Sequence, residues 1–363
     1  MLLSKYANNR DNNFNLLRFF AAFLVLYTHS FSLVSGNIFD EPMRVVLGMS
    51  LGDIAVDIFF VTSGFLITSS YFNRGNLAAF AWARILRIYP ALIVAMLFCV
   101  LIVGILFTNL SLQDYFSDTQ TYKYFFKNII LFFGVEYYLP GVFENVPYPR
   151  AVNGSLWTLP YEVKMYTYLA LILLGVTYIM KKTTYITFRN ALLLITLMAL
   201  LLLFINHFYP LRETSTFVSK FLRLFSAFFM GATFYVWRDK IKIKSHYFFI
   251  FIITLIISSI QKDIFFIIYY LVLAYILFFI AYVPKGILRK FNNFGDYSYG
   301  MYIYAFPIQQ SLLAIYPDIS IFSMVLVSFI ITLILSILSW NLVEKKFLKM
   351  KNKYIYIENI FKK

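Results

Sequence analysis

Charge is scarce in this chain and cysteine nearly absent. Charged residues make up 13% of it, and the one cysteine, Cys99, lies inside an apolar run, which excludes a disulfide within the chain. Three histidines, His29, His207 and His246, are far apart in sequence. No zinc-type spacing, glycine-rich phosphate loop or haem motif accompanies them, so no metal is expected. Acidic residues are outnumbered, 17 against 32 lysines and arginines. What remains is apolar: 61% of the 363 residues are hydrophobic, and the mean hydropathy is +0.74. A soluble domain cannot hide that much apolar surface, so the composition predicts a polytopic, all-α integral membrane protein. The net charge of +15 then reads as basic loops at a cytoplasmic face, not as a nucleic-acid surface.

Apolar windows long enough to cross a bilayer number about ten. They are Phe14–Val34, Gly52–Ser70, Arg84–Phe107, Tyr161–Met180, Arg189–His207, Ser219–Trp237, His246–Ile260, Ile264–Tyr282, Ser298–Ile315 and Ile321–Leu342. The first lacks a small-x-small cleavage site and is expected to be a retained helix. Only Gln261, Lys262 and Asp263 separate the seventh and eighth, where one long kinked helix is the alternative. With both termini cytoplasmic, about 23 basic residues fall inside and about seven outside, which satisfies the positive-inside rule at every loop. Residues 1–342 then form the transmembrane domain, and 343–363 a basic tail on the inner leaflet. Between Thr108 and Pro160 the composition shifts to prolines, tyrosines and acidic residues. The stretch FFKNIILFFGVEYYL there is too interrupted for a span and predicts a re-entrant or interfacial segment in a long outer loop.

Ionisable residues inside the apolar windows are the candidates for function, because a charge in lipid is costly and normally faces a protein interior or a wet path. Arg18 and His29 are eleven residues apart in NLLRFFAAFLVLYTHSFSL, about three helical turns, so they share one face roughly 16 Å apart. Asp57 in GDIAVDIFFVTSGFLIT and Glu162 in NGSLWTLPYEVKMY are expected at the level of His29, in the outer half. A carboxylate on one imidazole nitrogen would fix its tautomer and leave the other nitrogen to take a proton. Arg84 and Arg87 of WARILRIYP are expected with Arg18 at the inner face, where guanidinium forks suit phosphates; ordinary positive-inside anchoring is the alternative. Glu344 reads as a helix end paired with Lys345 and Lys346. Asp296 in GDYSYGMYIYAFP reads as an N-cap. The small residues around Ser63 permit close helix approach, and no nucleophile elbow surrounds that serine.

Taken in order, Arg18-x10-His29, GDIAVDIFFVTSGFLIT, RILRIYP, NGSLWTLPYE, GDYSYGMYIY and WNLVEKKF resemble the acyltransferase 3 family of bacterial membrane acyltransferases. The resemblance implies transfer of an acyl group, usually acetyl, from cytoplasmic acetyl-CoA to a hydroxyl of a surface glycan such as O-antigen or its lipid-linked precursor. It implies an enzyme of the bacterial cytoplasmic (inner) membrane, of the stand-alone type without an SGNH domain. The family's arginine–histidine signature maps onto Arg18 and His29, and its glutamate after the tryptophan motif onto Glu162. His29, Glu162 and Asp57 are thus the catalytic candidates, and Arg18, Arg84 and Arg87 those for the donor's phosphates. Asn153, Trp157 and Tyr161 are the candidates for the acceptor. A histidine is expected just before Pro307 but is missing from Ala305-Phe306-Pro307. The competing class is a translocator of a lipid-linked or polymeric saccharide, which would need no thioester; a purely structural scaffold leaves Arg18, His29 and Asp57 unexplained.

Overall fold

A computed structural model describes residues 1–7, 11–74, 76–179, 185–209 and 216–352. Helices stand at all ten expected intervals: Phe14–Ser35, Leu51–Arg74, Leu77–Phe98, Leu159–Ile179, Tyr185–Phe208, Thr216–Val236, Ser245–Ser258, Lys262–Tyr282, Ser298–Ile315 and Ile321–Ser339. Among the described residues there is no strand, only two isolated bridges. Among the described residues, seven helical stretches are long and apolar enough to cross a membrane. The Ser245–Ser258 helix, 14 residues or about 21 Å, is shorter than the roughly 30 Å hydrocarbon core. The chain does break there, giving two helices rather than one kinked rod: Ser258 and Ser259 turn their hydroxyls back onto Leu255 O and Ile256 O, and a new helix starts at Lys262. The end of the fourth window at Met180, the basic loop at Lys181 and Lys182, and the tail beyond Asn352 lie outside the described residues.

The chain divides into two compact units. The first comprises Met1–Arg18, Met43–Asn73 and Lys164–Phe294; the second comprises Phe19–Pro42, Arg74–Val163 and the chain from Gly295 on. In the first, the Leu51–Arg74 and Thr216–Val236 helices approach backbone to backbone. A Cβ on Gly64 would lie 1.9 Å from Phe228 O, and one on Gly231 would lie 1.9 Å from Val61 O. The small-residue expectation around Ser63 is met, with Gly231 as the reciprocal half that the sequence reading passed over. Ser63 itself bonds to the Tyr166 hydroxyl at 3.2 Å.

In the second unit, the Ser298–Ile315 and Ile321–Ser339 helices pack along a stripe of small residues, and a Cβ on Gly300 would lie 2.8 Å from Ser336 Cα. The stretch written FFKNIILFFGVEYYL is the end of a 12-residue helix, Thr119–Ile130, followed by non-helical chain. At about 18 Å that helix is too short to span. Asn128 pins the returning chain by exchanging two 2.8 Å bonds with the Glu136 backbone. Burial works to raise the Glu136 carboxyl, but the Lys127 and Lys123 ammonium groups, 3.3 and 3.4 Å away, overcome it and hold the carboxyl below its usual range.

Two outcomes follow from these contacts. Gly64→Ala should lower the thermal stability of the purified protein by about 1–3 kcal/mol, since only backbone movement can make room. Gly175→Ala, with open space around its Cβ, should not destabilise it; equal losses at both sites in a melting experiment would contradict the close approach. The stabilisation from a carboxylate with a depressed pKa is present above its unfolded value, about 4.3, and is lost as pH falls through the folded one. The protection of residues 131–139 against hydrogen exchange, corrected for the intrinsic pH dependence of exchange, should therefore fall on acidification in the native protein, and Glu136→Gln should flatten that dependence.

Candidate active site

In the second unit, His29 projects from the Phe14–Ser35 helix with its Nδ1 buried and without a hydrogen-bond partner among the described residues. Its ring meets the edge of Phe306, with centroids 5.1 Å apart and planes at 80°. Phe306 is the residue before Pro307, the position where a histidine was expected. The Phe306 ring also lies where a side chain on Gly154 would be: a Cβ there would sit 2.5 Å from Phe306 Cε2. Glycine in NGSLW is thus required for close approach. The arginine–histidine helix, the NGSLW turn and the helix after GDYSYG meet around this one ring.

Pro307 explains how the turn is held. Proline has no N–H, so the carbonyl four residues earlier, Ile303 O, loses its helical donor. Asn153 Nδ2 donates to that carbonyl at 2.8 Å, while Asn153 Oδ1 accepts from Ser155 N and starts the 3-10 turn Gly154–Thr158. Around it, Tyr302 donates to Ser155 O at 2.6 Å and lies 2.6 Å from Thr158 Oγ1. Gln310 donates to Tyr148 O and Ala151 O. Gln309 clamps the turn of helix beside His29, donating to Leu26 O and Ser30 Oγ at 2.8 and 2.7 Å. Asn153, expected at the acceptor, is fully buried with its amide engaged by backbone. Trp157 packs edge-on against Tyr161 at 5.9 Å. Glu162, in the first turn of the next helix, is close enough for its charge to act on the Tyr302 hydroxyl and on Arg87.

Arg87 is ion-paired on both sides, with Asp296 at 2.6 Å and Glu344 at 3.2 Å. Asp296 was expected as the N-cap of its helix, but that position is Tyr297; the Asp296 carboxylate lies one residue earlier and accepts from Ser298 N and Oγ. Glu344 differs from expectation: it is buried, and its partner is Arg87 rather than a neighbouring lysine. Arg84, one turn earlier, is half-buried.

In the first unit, Arg18 lies 5.9 Å over the Phe59 ring. Asp57 is fully buried and receives three donors: Arg223 Nε at 2.9 Å, the Tyr270 hydroxyl at 3.0 Å and the Tyr269 hydroxyl at 3.3 Å. Asp53, one turn away on the same face, closes a capping box with Ser50 and pairs with Arg44 at 2.8 Å and Arg223 at 2.6 Å. The sequence reading passed over Arg223. Its signal was available: it is a basic residue inside the expected span Ser219–Trp237.

Comparison with known proteins places these motifs. An O-acetyl transferase of Shigella phage Sf6 is 30% identical over 357 residues, covering 94% of this chain and 97% of that protein. Nodulation protein 10 of Rhizobium leguminosarum bv. viciae is 32% identical over 175 residues, 47% of this chain and 46% of its own. No solved structure matches. The acyltransferase domain matches residues 11–341, and the chain belongs to the acyltransferase 3 family.

Proposed function

We propose that this protein is an O-acetyltransferase of the bacterial inner membrane that moves acetyl from cytoplasmic acetyl-CoA to a sugar hydroxyl of a surface polysaccharide or its lipid-linked precursor. Ten spans with both termini cytoplasmic form the frame of this reading. The observation that carries it is the meeting of His29, the NGSLW turn and the post-GDYSYG helix around Phe306 in a chain of this family. His29 acts as general base: it takes the acceptor's proton as the hydroxyl oxygen bonds to the acyl carbon. The carbon–sulfur bond of the thioester then breaks, and the proton passes to the departing thiolate. Direct transfer is supported by Ser63, the serine weighed as a nucleophile, which bonds to the Tyr166 hydroxyl at 3.2 Å and to no base among the described residues.

Glu162 is the carboxylate of the same unit assigned to assist His29. Trp157 and Tyr161, stacked edge to face, line the acceptor's approach, and Asn153 holds their turn through Ile303 O. Arg84 supplies a cation for the donor's phosphates, with Arg18 assigned likewise by the family signature on the helix that carries His29. Asp57 serves by holding Arg223 rather than by touching substrate.

General base catalysis contributes about 10²–10⁴ in rate, so His29→Ala should reduce surface-glycan acetylation at least about 100-fold at normal protein abundance. Mass spectrometry of the glycan for an added acetyl reads this directly, and an unchanged acetyl content would sink the mechanism. Purified protein should release thiol from acetyl-CoA only when a glycan acceptor is present. Movement of the acceptor across vesicles without acetyl-CoA would identify a translocator instead.

A further inference from the structure

The RILR arginines are candidates for the donor's phosphates, yet the fork of Arg87 is already engaged. Nη2 lies on Asp296 and Nη1 on Glu344, and the guanidinium sits 5.6 Å over the Tyr299 ring. Each carboxylate is engaged at its other oxygen as well: Asp296 Oδ1 by Ser298, and Glu344 Oε1 by Ser339 Oγ at 3.1 Å. Side-chain exposure is 13% for Arg87, 12% for Asp296 and 2% for Glu344, so solvent does little to loosen the cluster.

The backbone around Glu344 is built to reach Arg87. The buried stripe of the Ile321–Ser339 helix runs Met324, Ser328, Thr332, Ser336, Ser339, in steps of four and three, and the next buried residue is Glu344. A step of five on an α-helix turns a side chain about 140° off the stripe. Trp340–Glu344 is instead a π-helical turn, whose wider winding brings Glu344 back to the buried face. The Trp340 indole lies where a side chain on Gly295 would be, 2.4 Å from its Cβ position, and Gly295 has φ +119°, in the region that favours glycine. Tyr299 in turn donates to Ile88 O, beside Arg87, at 3.0 Å. RILRIYP, GDYSYG and WNLVE therefore converge on one guanidinium.

We propose that Arg87, Asp296 and Glu344 form a positioning clamp that fixes the Arg84-bearing helix, and that Arg87 is not a ligand of the donor's phosphates. The proposal rests on the acetyl-CoA reading for the site it positions. It assigns Glu344 and Asp296 a part in turnover without contact to either substrate.

The test uses the full-length protein in lipid, measuring coenzyme A affinity and acetyl-transfer kcat separately. Arg87→Ala and Glu344→Gln should each lower kcat by about 10²-fold, the usual effect of a displacement near 1 Å, with coenzyme A affinity held within about threefold. Arg87→Lys, which keeps the charge, should recover part of the loss. A fall in coenzyme A affinity of tenfold or more in Arg87→Ala, with Glu344→Gln active and binding as well as wild type, would overturn the clamp. Should Arg87→Ala fail to fold, the near-isosteric Glu344→Gln decides alone: normal kcat overturns the proposal. Arg84→Ala reports on the donor reading itself, which requires weakened coenzyme A binding there. If wild-type protein binds no coenzyme A, that reading fails separately. The clamp is then judged by the Arg87→Ala and Glu344→Gln cycle on thermal unfolding, where strictly additive losses would overturn it.

Discussion

An arginine shared by two carboxylates organises each half of this molecule. In the first unit Arg223 joins Asp53 and Asp57; in the second Arg87 joins Asp296 and Glu344. The constraint behind both is the cost of a charge away from water, which falls only when geometry and hydrogen bonds are nearly complete. Such clusters are weak evidence for added stability, because well-packed apolar side chains would hold the helices as firmly. Removing one partner is a different matter, since the charge left behind costs about 3–5 kcal/mol. What the clusters supply is register. Asp53 and Asp57 sit one turn apart, so Arg223 can meet both only at one rotation of its helix, and the π turn at Trp340–Glu344 serves the same end for Arg87.

The same scarcity of water shapes the surroundings of His29. Amide side chains there are spent on backbone: Asn153 on the carbonyl that Pro307 orphans, Gln309 on Leu26 O, and Gln310 on Tyr148 O and Ala151 O. The imidazole is set by what cannot move, with Phe306 on one side and a clamped turn of its own helix behind it. Phe306 standing where a histidine was expected makes this wall apolar.

Helix placement was legible because apolar runs of about 20 residues leave few alternatives; the ten windows and the ten helices coincide to within a few residues at most ends. The Gly64 contact was legible as a small residue in mid-span, and Asp296 as an acid at the start of the Ser298–Ile315 helix, though the cap position itself falls on Tyr297. Partner choice was not. Arg223 meets Asp57 across 166 residues, and Arg87 meets Glu344 across 257. Periodicity carries no information about such pairings. Lys345 and Lys346 stand next to Glu344 in sequence and suggest a local pairing, and nothing in WNLVE announces the wider turn that brings Glu344 to the buried face. The bond from Asn153, a residue expected at the acceptor, to Ile303 O is visible only once Pro307 is seen to strip Ile303 of a donor.

That last pairing has a bearing on how the chain is made. The turn carrying Asn153 is synthesised 150 residues ahead of the helix whose carbonyl it satisfies. At ordinary rates of translation it precedes that helix by roughly ten seconds or more. A buried carbonyl without a donor is costly, so Ile303 O finds its partner only where the earlier turn has already formed. Pro307 thus makes the packing of a late helix depend on a turn that precedes it by 150 residues in the chain.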